Sequence, residues 1–519
     1  MISSYPARVP RRLLYMGVIN TGASVKLARI AAVSGKHPAR TYCVGAILAL
    51  QLTGCISLAP DYVRPPLPVA RSYEEVANSS RETIDVIGWR NYFQDVRLQS
   101  LIELALENNR DLHIAIARVD ETRAAYGIER SAQYPSIGAQ AGLDRSRVPG
   151  DLNLTGKPIV GSQYQVGLGM ASWELDFWGR VRSLKDAALE NYLATNAAQR
   201  AVRIDLIAQV AISYLTLSEL NERLFLADQT LSSRAESYRI FSRRVEVGST
   251  SRLNLTQVAV LVTQAQSLVA QLEQDRAAQI HRLTLLVGTA LNNTVLQQRL
   301  STIDAPRRLH AGVPSDLLTY RPDIIAAEHQ LRAANANIGA ARAAFFPRIA
   351  LTGSAGSASA ELGGLFDSGS HAWTFSPSIS LPLFDGGLRN SNLQLTEARR
   401  HIAVLNYEKT IQNAFRDVSD ALSARIWLDY QVDIASTTLA VQSERAHLST
   451  LRYDNGSASF LDVLDAQRDL LTAQQQLVQL QRALATSNVS LYAALGGASD
   501  DIPIEDKQLD LKKKTGSSQ

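Results

Sequence analysis

Two copies of one short motif, 208 residues apart, decide how this chain folds. They read Arg244-Val-Glu-Val-Gly248-Ser-Thr-Ser251-Arg-Leu253 and Arg452-Tyr-Asp-Asn-Gly456-Ser-Ala-Ser459-Phe-Leu461. In each copy the glycine can end one helix in a left-handed conformation, and the serine three residues later can cap the next helix. The motif therefore predicts a tight turn between two helices, and its repetition predicts two helical hairpins.

The segments on either side of these turns predict unusually long helices. Residues 180–247 and 388–455 contain neither Gly nor Pro over 68 residues each, which corresponds to about 100 Å of helix. The returning segments 249–287 and 457–495 are also uninterrupted. Helices this long need support from neighbouring helices. A seven-residue apolar column indicates coiled-coil packing and consists of Val463, Leu470, Leu477, Leu484 and Leu491.

Other residues repeat in the same order at a nearly constant offset, which indicates a tandem duplication of roughly 210 residues. The matched pairs include Asp111 with Asp323, Pro135 with Pro347, Phe177 with Phe384, and Gly288 with Gly496.

Between the helices lie segments in which apolar and small polar residues alternate, as they do in membrane-barrel strands. Four strands cannot close a barrel, and unpaired edges are not tolerated in lipid, so this interpretation requires an oligomer. A structural coiled-coil surface lipoprotein, in which the strands are incidental, remains an alternative. The predicted strands are 136–147, 162–172, 348–359 and 373–383, joined by exposed loops at 148–161 and 360–372.

The N-terminal 54 residues have the features of a signal peptide. A short apolar run, 42–52, leads into Leu52-Thr-Gly-Cys55, which resembles the bacterial lipobox. We expect Cys55 to be lipidated and to become the mature N-terminus, and Ile56 favours export to the outer membrane. The true translation start is expected downstream of Met1. Cys43 would be removed with the leader, so the mature chain could form no intramolecular disulfide.

Charge and motifs exclude several classes of function. The whole chain carries +4, but the leader holds seven basic and no acidic residues, so the remainder is −3 and no nucleic-acid partner is expected. Nucleophile elbows, Walker A loops, HExxH and paired CxxC motifs are missing, and the eight histidines form no close cluster. We therefore expect no enzyme activity, no catalytic residue, no metal and no cofactor.

Taken together, these features resemble the TolC-like outer-membrane factors, and in particular the lipoprotein group (the NodT group) that serves RND efflux pumps. The motifs that carry the resemblance are Cys55-Ile-Ser-Leu-Ala-Pro, Tyr320-Arg-Pro-Asp323 and Leu383-Phe-Asp-Gly-Gly387. The resemblance implies a mainly α fold with a β-barrel: a homotrimer with a twelve-stranded outer-membrane barrel and a periplasmic α-barrel of long helices.

The corresponding domain plan has five parts. It consists of signal peptide 1–54, lipid-anchored segment 55–97, first repeat 98–300 with hairpin 180–287, second repeat 301–497 with hairpin 388–495, and disordered tail 498–519.

The resemblance also implies sites at the hairpin ends. The periplasmic gate would be formed by Leu461 and Asp465, with Gln257 at the first-repeat position of Asp465. The turns that meet a periplasmic adaptor (membrane fusion protein) would contribute Arg244, Gly248, Ser251, Leu253, Arg452, Gly456, Ser459 and Asp462.

The implied function is a passive exit duct for drugs or other small toxic compounds, working with an adaptor and an inner-membrane RND pump. Its expected location is the outer membrane, with a lipid anchor and a periplasmic extension. A duct for a type I (ABC) secretion system is the nearest alternative. The exported substrate cannot be inferred from this chain, because selection is expected to occur in the pump.

Overall fold

Helices make up most of the described chain, which comprises residues 58–70, 87–292, 296–303, 309 and 317–497 of a computed structural model. Cys55, the leader and the tail 498–519 lie outside these residues. The helices are α1 Trp89–Tyr92, α2 Val96–Asn108, α3 Arg110–Ser131, α4 Arg180–Glu246, α5 Arg252–Val287, α6 Leu317–Tyr320, α7 Pro322–Ala343, α8 Leu388–Asp454 and α9 Phe460–Ala494.

The four longest helices form two hairpins, as the turn motifs predict. Helices α4 and α8 each have 67 residues, and α5 and α9 have 36 and 35. Gly248 and Gly456 adopt φ angles of 72° and 70° at the turns, where a side chain would be strained. The hydroxyls of Ser251 and Ser459 then cap the returning helices, as expected.

The helices pack side by side as a wall. In the half of the wall nearer the hairpin turns, α4 contacts both α5 and α9, and α9 contacts α8. The order of the helices there is α5–α4–α9–α8. Closer to the strands, α4 contacts α3 and α7, and α7 contacts α8. Helices α7 and α9 therefore lie between the same two long helices, end to end. An apolar window of α4 is long enough to cross a membrane, but 56% of it is buried in this wall.

The two end-to-end junctions are built alike. At the first, the Asn109 side-chain amide donates to the Leu286 carbonyl at the end of α5, at 2.9 Å. At the second, Arg321 Nη1 donates to the Ala494 carbonyl at the end of α9, at 3.0 Å. These bonds satisfy carbonyls that a helix end leaves unpaired.

A glycine follows each of these helix ends at positive φ, 76° at Gly288 and 95° at Gly496. A Cβ at Gly288 would lie 2.6 Å from the Asn108 carbonyl oxygen, and one at Gly496 would lie 2.7 Å from that of Tyr320. Each junction thus requires a glycine for two reasons, its backbone conformation and the close approach of a neighbouring backbone. This explains why the glycine occurs in both repeats.

The strands form one antiparallel sheet in the order β1–β2–β3–β4. They are β1 Ile137–Val148, β2 Ile159–Glu174, β3 Arg348–Ser359 and β4 His371–Ser380. Directly paired residues share a face, so the register separates two surfaces. One face is apolar and carries Ile137, Leu143, Tyr164, Val166, Leu168, Met170, Leu351, Trp373, Phe375 and Ile379. The other face is polar and glycine-rich, with Gln140, Asp144, Gln165, Ser354 and Thr374.

The mixed helical and β architecture agrees with the fold class predicted from the sequence, but strand bounds differ. Strand β2 is longer than the predicted 162–172, and its pairing with β3 shifts at a bulge between Met170 and Trp173. Strand β4 begins two residues earlier than predicted and ends at Ser380 rather than at 383. Pro382 has no N–H to extend the ladder, which is consistent with this earlier end.

Glycines on the polar face let β2 and β3 approach closely. A Cβ at Gly356 would lie 2.1 Å from the Val166 carbonyl oxygen, a distance that requires the backbone to move. We predict that Gly356→Val sharply lowers the yield of assembled protein, because β2 and β3 could not keep their register. Membrane yield and the heat-resistant oligomer on a gel measure this.

Gly161→Val is the matched control, because a Cβ at Gly161 meets no atom within 4 Å. Equal yields from the two variants would show that the β2–β3 spacing does not limit assembly.

Candidate functional site

The predicted turn residues lie at the free ends of the two hairpins. Leu253 is 67% exposed, and Ser251, Gly248, Gly456 and Ser459 are also exposed. Asp462 is exposed as well, and its carboxylate accepts a hydrogen bond from the Ser459 N–H at 3.2 Å, which completes a capping box. Asp462 therefore has a structural role in the turn in addition to the role predicted for it.

One hydrogen bond joins the two turns. Arg244 Nη1 donates to the Tyr453 hydroxyl, and the Arg244 guanidinium lies 5.4 Å from the centre of the Phe241 ring. Arg452 instead remains within its own turn, where Nη2 donates to the Ser457 carbonyl at 3.3 Å. The structure thus separates the two predicted arginines into different roles, since only Arg244 connects the hairpins.

An aromatic cluster supports this connection. The ring of Phe460 lies 4.2 Å from that of Phe241 and 5.0 Å from that of Tyr453. Val258 and Leu464 are buried against these rings. The cluster was not predicted from the sequence, although its aromatic residues stand close to both turn motifs and could have indicated it.

The predicted gate residues lie on one face of α9, just inside the second turn. Leu461 is 48% exposed, and the Asp465 side chain is 43% exposed. Asp465 does not stand alone, because Arg468 Nη1 lies 3.2 Å from its carboxylate. Asp465 was predicted from the sequence without this neighbouring cation, which the i,i+3 spacing could have suggested.

Arg468 also belongs to a chain of ion pairs that extends from α9 to α8. It binds Asp469 at 3.0 Å, and Asp469 also accepts from Arg445 at 2.7 Å. The guanidiniums of Arg445 and Arg468 hold the pKa of the Asp469 carboxyl below its usual range. The position of Asp465 is thereby coupled to the packing of α8 against α9.

Further from the turns, buried polar contacts hold α9 against α4. Glu219 is buried and accepts from Arg482 at 2.8 Å and from Arg223 at 3.1 Å. Gln475 exchanges two hydrogen bonds with Arg223. Near the turns, the contact between Arg244 of α4 and Tyr453 at the end of α8 adds a further link between the two hairpins.

Within the described residues, His, Cys, Asp and Glu side chains form no group of three that could hold a metal ion. The site is thus a set of exposed turns and a charged helix face.

A second feature of functional interest is the N-terminal segment 58–64, which lies along α7. The Asn335 amide donates to the Pro60 carbonyl at 2.6 Å, and Arg342 Nη1 donates to that of Leu58 at 3.4 Å. Gly339 lets Ala59 approach, since a Cβ at Gly339 would lie 2.8 Å from that of Ala59. Leu58 consequently lies beside the end of α7 from which β3 begins.

Glu328 is the anchor of this segment. It is 6% exposed and accepts from the Tyr62 hydroxyl at 3.1 Å and from Arg64 and Arg332, each at 2.7 Å. Burial alone would raise the pKa of Glu328, but hydrogen bonds from the two arginines outweigh it and hold that pKa below its usual range.

We predict that Glu328→Gln releases segment 58–64, because it removes the charge that both arginines share. The loss of stability should be about 1–3 kcal/mol at pH 7. Glu328 contributes most above its usual pKa, and this contribution is lost as the pH falls through its lowered pKa. The difference between wild type and variant should therefore begin to shrink only below the usual range of a glutamate carboxyl, and vanish once the pH is below the lowered pKa of Glu328.

Limited proteolysis near residues 58–70 and thermal unfolding measured against pH check this prediction. Glu397→Gln is the control, because Glu397 is half-exposed and lies 3.9 Å from Arg342. If Glu328→Gln and Glu397→Gln behave alike, Glu328 does not anchor the segment.

Comparison with known proteins places this architecture in a family. The family model described as "Outer membrane efflux protein" matches residues 101–289 and 313–497. The solvent efflux pump outer membrane protein SrpC of Pseudomonas putida is 43% identical over 457 residues, covering 87% of this chain and 97% of the relative. OprJ, an outer membrane protein of Pseudomonas aeruginosa, is 40% identical over 462 residues, covering 88% and 96%.

Solved structures agree with these relatives. A membrane protein from Pseudomonas aeruginosa matches with a TM-score of 0.82 at 40% identity and covers 86% of this chain and 99% of that one. The open state of the Neisseria gonorrhoeae MtrE outer membrane channel matches with a TM-score of 0.76 at 38% identity, covering 85% and 98%. The chain therefore belongs to the outer membrane efflux protein family, whose members are channels and not enzymes.

Proposed function

We propose that three copies of this chain form the passive outer-membrane duct of a tripartite RND-type efflux system. The observation that carries the proposal is the pair of unpaired edges on the four-stranded sheet, β1 and β4. Lipid supplies no hydrogen bonds to such edges, so they must pair with other copies. The relative named for solvent efflux supports small toxic compounds as the cargo.

The geometry of one chain suits a closed ring. Strand β1 leads away from the helices and β4 leads back to them, so β4 of one copy would run antiparallel to β1 of the next. The helical wall has matching edges. Its α8 edge exposes Ile426, Trp427, Tyr430 and Ile434, and its other edge exposes Ile114 and Ile116 of α3 and Val260 and Leu285 of α5. Such unlike surfaces join head to tail and close by rotation.

We assign the gate to Leu461 and Asp465. In a ring, three copies of each would narrow the duct at the hairpin ends, and the charge of Asp465 would be balanced in part by Arg468. Opening would require the α8–α9 hairpin to move away from α4, which breaks the hydrogen bond between Arg244 on α4 and Tyr453 on α8.

The exposed turns are the proposed docking site for a periplasmic adaptor, through which an inner-membrane RND pump supplies the energy. Gly248, Ser251, Leu253, Gly456 and Ser459 are exposed at the turns and free to meet a partner. Arg452 and Asp462 add opposite charges beside them. The duct itself is passive, because a channel of this kind needs no catalytic group.

We further propose a lipid anchor at Cys55. Leu58, which is only three residues further along the chain, contacts Arg342 at the end of α7 that leads into β3, and three residues of extended chain span at most about 11 Å. Acyl chains at that level could enter the inner leaflet of the outer membrane. The relatives reported above favour an efflux duct over a type I secretion duct or a structural surface lipoprotein.

The experiment that tests the proposed channel is reconstitution into a planar bilayer, where stepwise conductance is expected. We predict that Asp465→Ala raises the conductance, because it removes a carboxylate from the narrowest part of the duct. Gln257→Ala changes the equivalent position of the first repeat and should have no effect. Unchanged conductance in Asp465→Ala would remove Asp465 from the gate.

We predict that Tyr453→Phe favours the open state, because it keeps the ring against Phe460 but removes the hydroxyl that Arg244 binds. The loss of about 1 kcal/mol corresponds to a roughly fivefold shift toward opening for each copy. Single-channel open probability measures the shift.

Tyr238→Phe is the control for this hydroxyl. Tyr238 is exposed on α4, and its hydroxyl has no partner among the described residues. An open probability in Tyr453→Phe equal to that of Tyr238→Phe would show that the link between the turns does not hold the gate closed.

A further inference from the structure

Two arginines interrupt the apolar face of the sheet at one end of β1. Arg145 pairs with Ser162 and Arg147 pairs with Val160, while Leu143 pairs with Tyr164. Alternation along the strand places Arg145 and Arg147 on the same face as Leu143. This is the face that meets lipid in the proposed barrel, and both arginines are exposed on it.

Their position along the strand places them at the level of the lipid headgroups. Arg147 lies ten residues beyond Ile137, which is about 33 Å along the strand and roughly 25 Å along the axis of a barrel with tilted strands. That distance matches the height of the apolar band of a membrane barrel, roughly 25 Å. An arginine on the lipid face costs little near this boundary but several times more at the bilayer midplane.

The end of β1 that carries them is the one remote from the helices. It leads through Pro149 into the short 3₁₀ turn Gly150–Leu152 and then into β2. With the helices in the periplasm, this end faces the exterior, so the nearby headgroups are those of the outer leaflet.

Neither arginine has an ion pair or a side-chain hydrogen bond within the described residues. The neighbouring carboxylate, Asp144, belongs to the opposite face, because it pairs with Gln163. Asp151 lies in the turn that follows. The backbone positions of Arg145 and Arg147 are about 7 Å apart along the strand, and both guanidiniums remain available for an external anion.

We propose that Arg145 and Arg147 form a binding site for the phosphate groups of lipopolysaccharide in the outer leaflet. Guanidinium binds phosphate through paired, charge-assisted hydrogen bonds, and it is more weakly hydrated than a lysine ammonium. Three copies would place such a pair at three points around the rim. The inference rests on the proposed barrel and its orientation, and it adds a lipid partner on the exterior side.

The test uses the purified, detergent-solubilised channel and diphosphoryl lipid A, with binding followed by native mass spectrometry. The double variant Arg145→Gln/Arg147→Gln should bind at least about tenfold more weakly than wild type, as expected for the loss of charge-assisted hydrogen bonds. Dephosphorylated lipid A should bind wild type and double variant equally. Lys157→Gln, which removes an exposed charge from the following loop, should leave the affinity unchanged.

Two results would overturn the proposal: equal affinity of wild type and double variant for diphosphoryl lipid A, or equal affinity of wild type for lipid A and for phosphatidylglycerol. Single-channel conductance of the double variant separates this question from the proposed function. Its conductance should equal that of wild type, because the two side chains lie outside the duct. If the wild-type protein did not conduct at all, the result would instead contradict the proposed channel function.

Discussion

The unpaired edges of a four-stranded sheet determine most of what this chain does. Strands β1 and β4 each leave a row of backbone N–H and C=O groups without partners in the single chain. In lipid such groups are satisfied only when a barrel closes, which is why we propose that the strands are shared among copies. The two outer edges of the helical wall also expose apolar residues, which neighbouring copies would cover in the proposed ring.

The duplication explains how one chain supports so large a wall. Each repeat contributes a short helix, two strands and a long hairpin, and the junctions at Asn109 and Arg321 join helices end to end. The second junction is the more polar, since Arg321 also binds Asp323 at 2.6 Å. The second repeat also contains the proposed gate and binds the N-terminal segment 58–64. The two repeats therefore differ in function although they share one architecture.

Local signals in the sequence predicted the fold well. Gly248 and Gly456 located both turns, because their conformations depend only on neighbouring residues. The end of β4 was less accurate, since ladder length depends on partners across the sheet. The site was predicted only in part, because Arg468 beside Asp465 and the aromatic ring of Tyr453 beneath Arg244 depend on helix packing. Segment 58–64 was expected only as a lipid-anchored region, and its attachment to Glu328 joins residues 264 apart.

We propose that the conducting channel is a ring of three chains in which β4 of each copy pairs with β1 of the next. The most direct measurement is the mass of the detergent-solubilised protein by native mass spectrometry, made on the same preparation that conducts in a bilayer. We predict three chains per conducting particle and no conductance from single chains. A conducting monomer, or a stable particle with another number of chains, would contradict it.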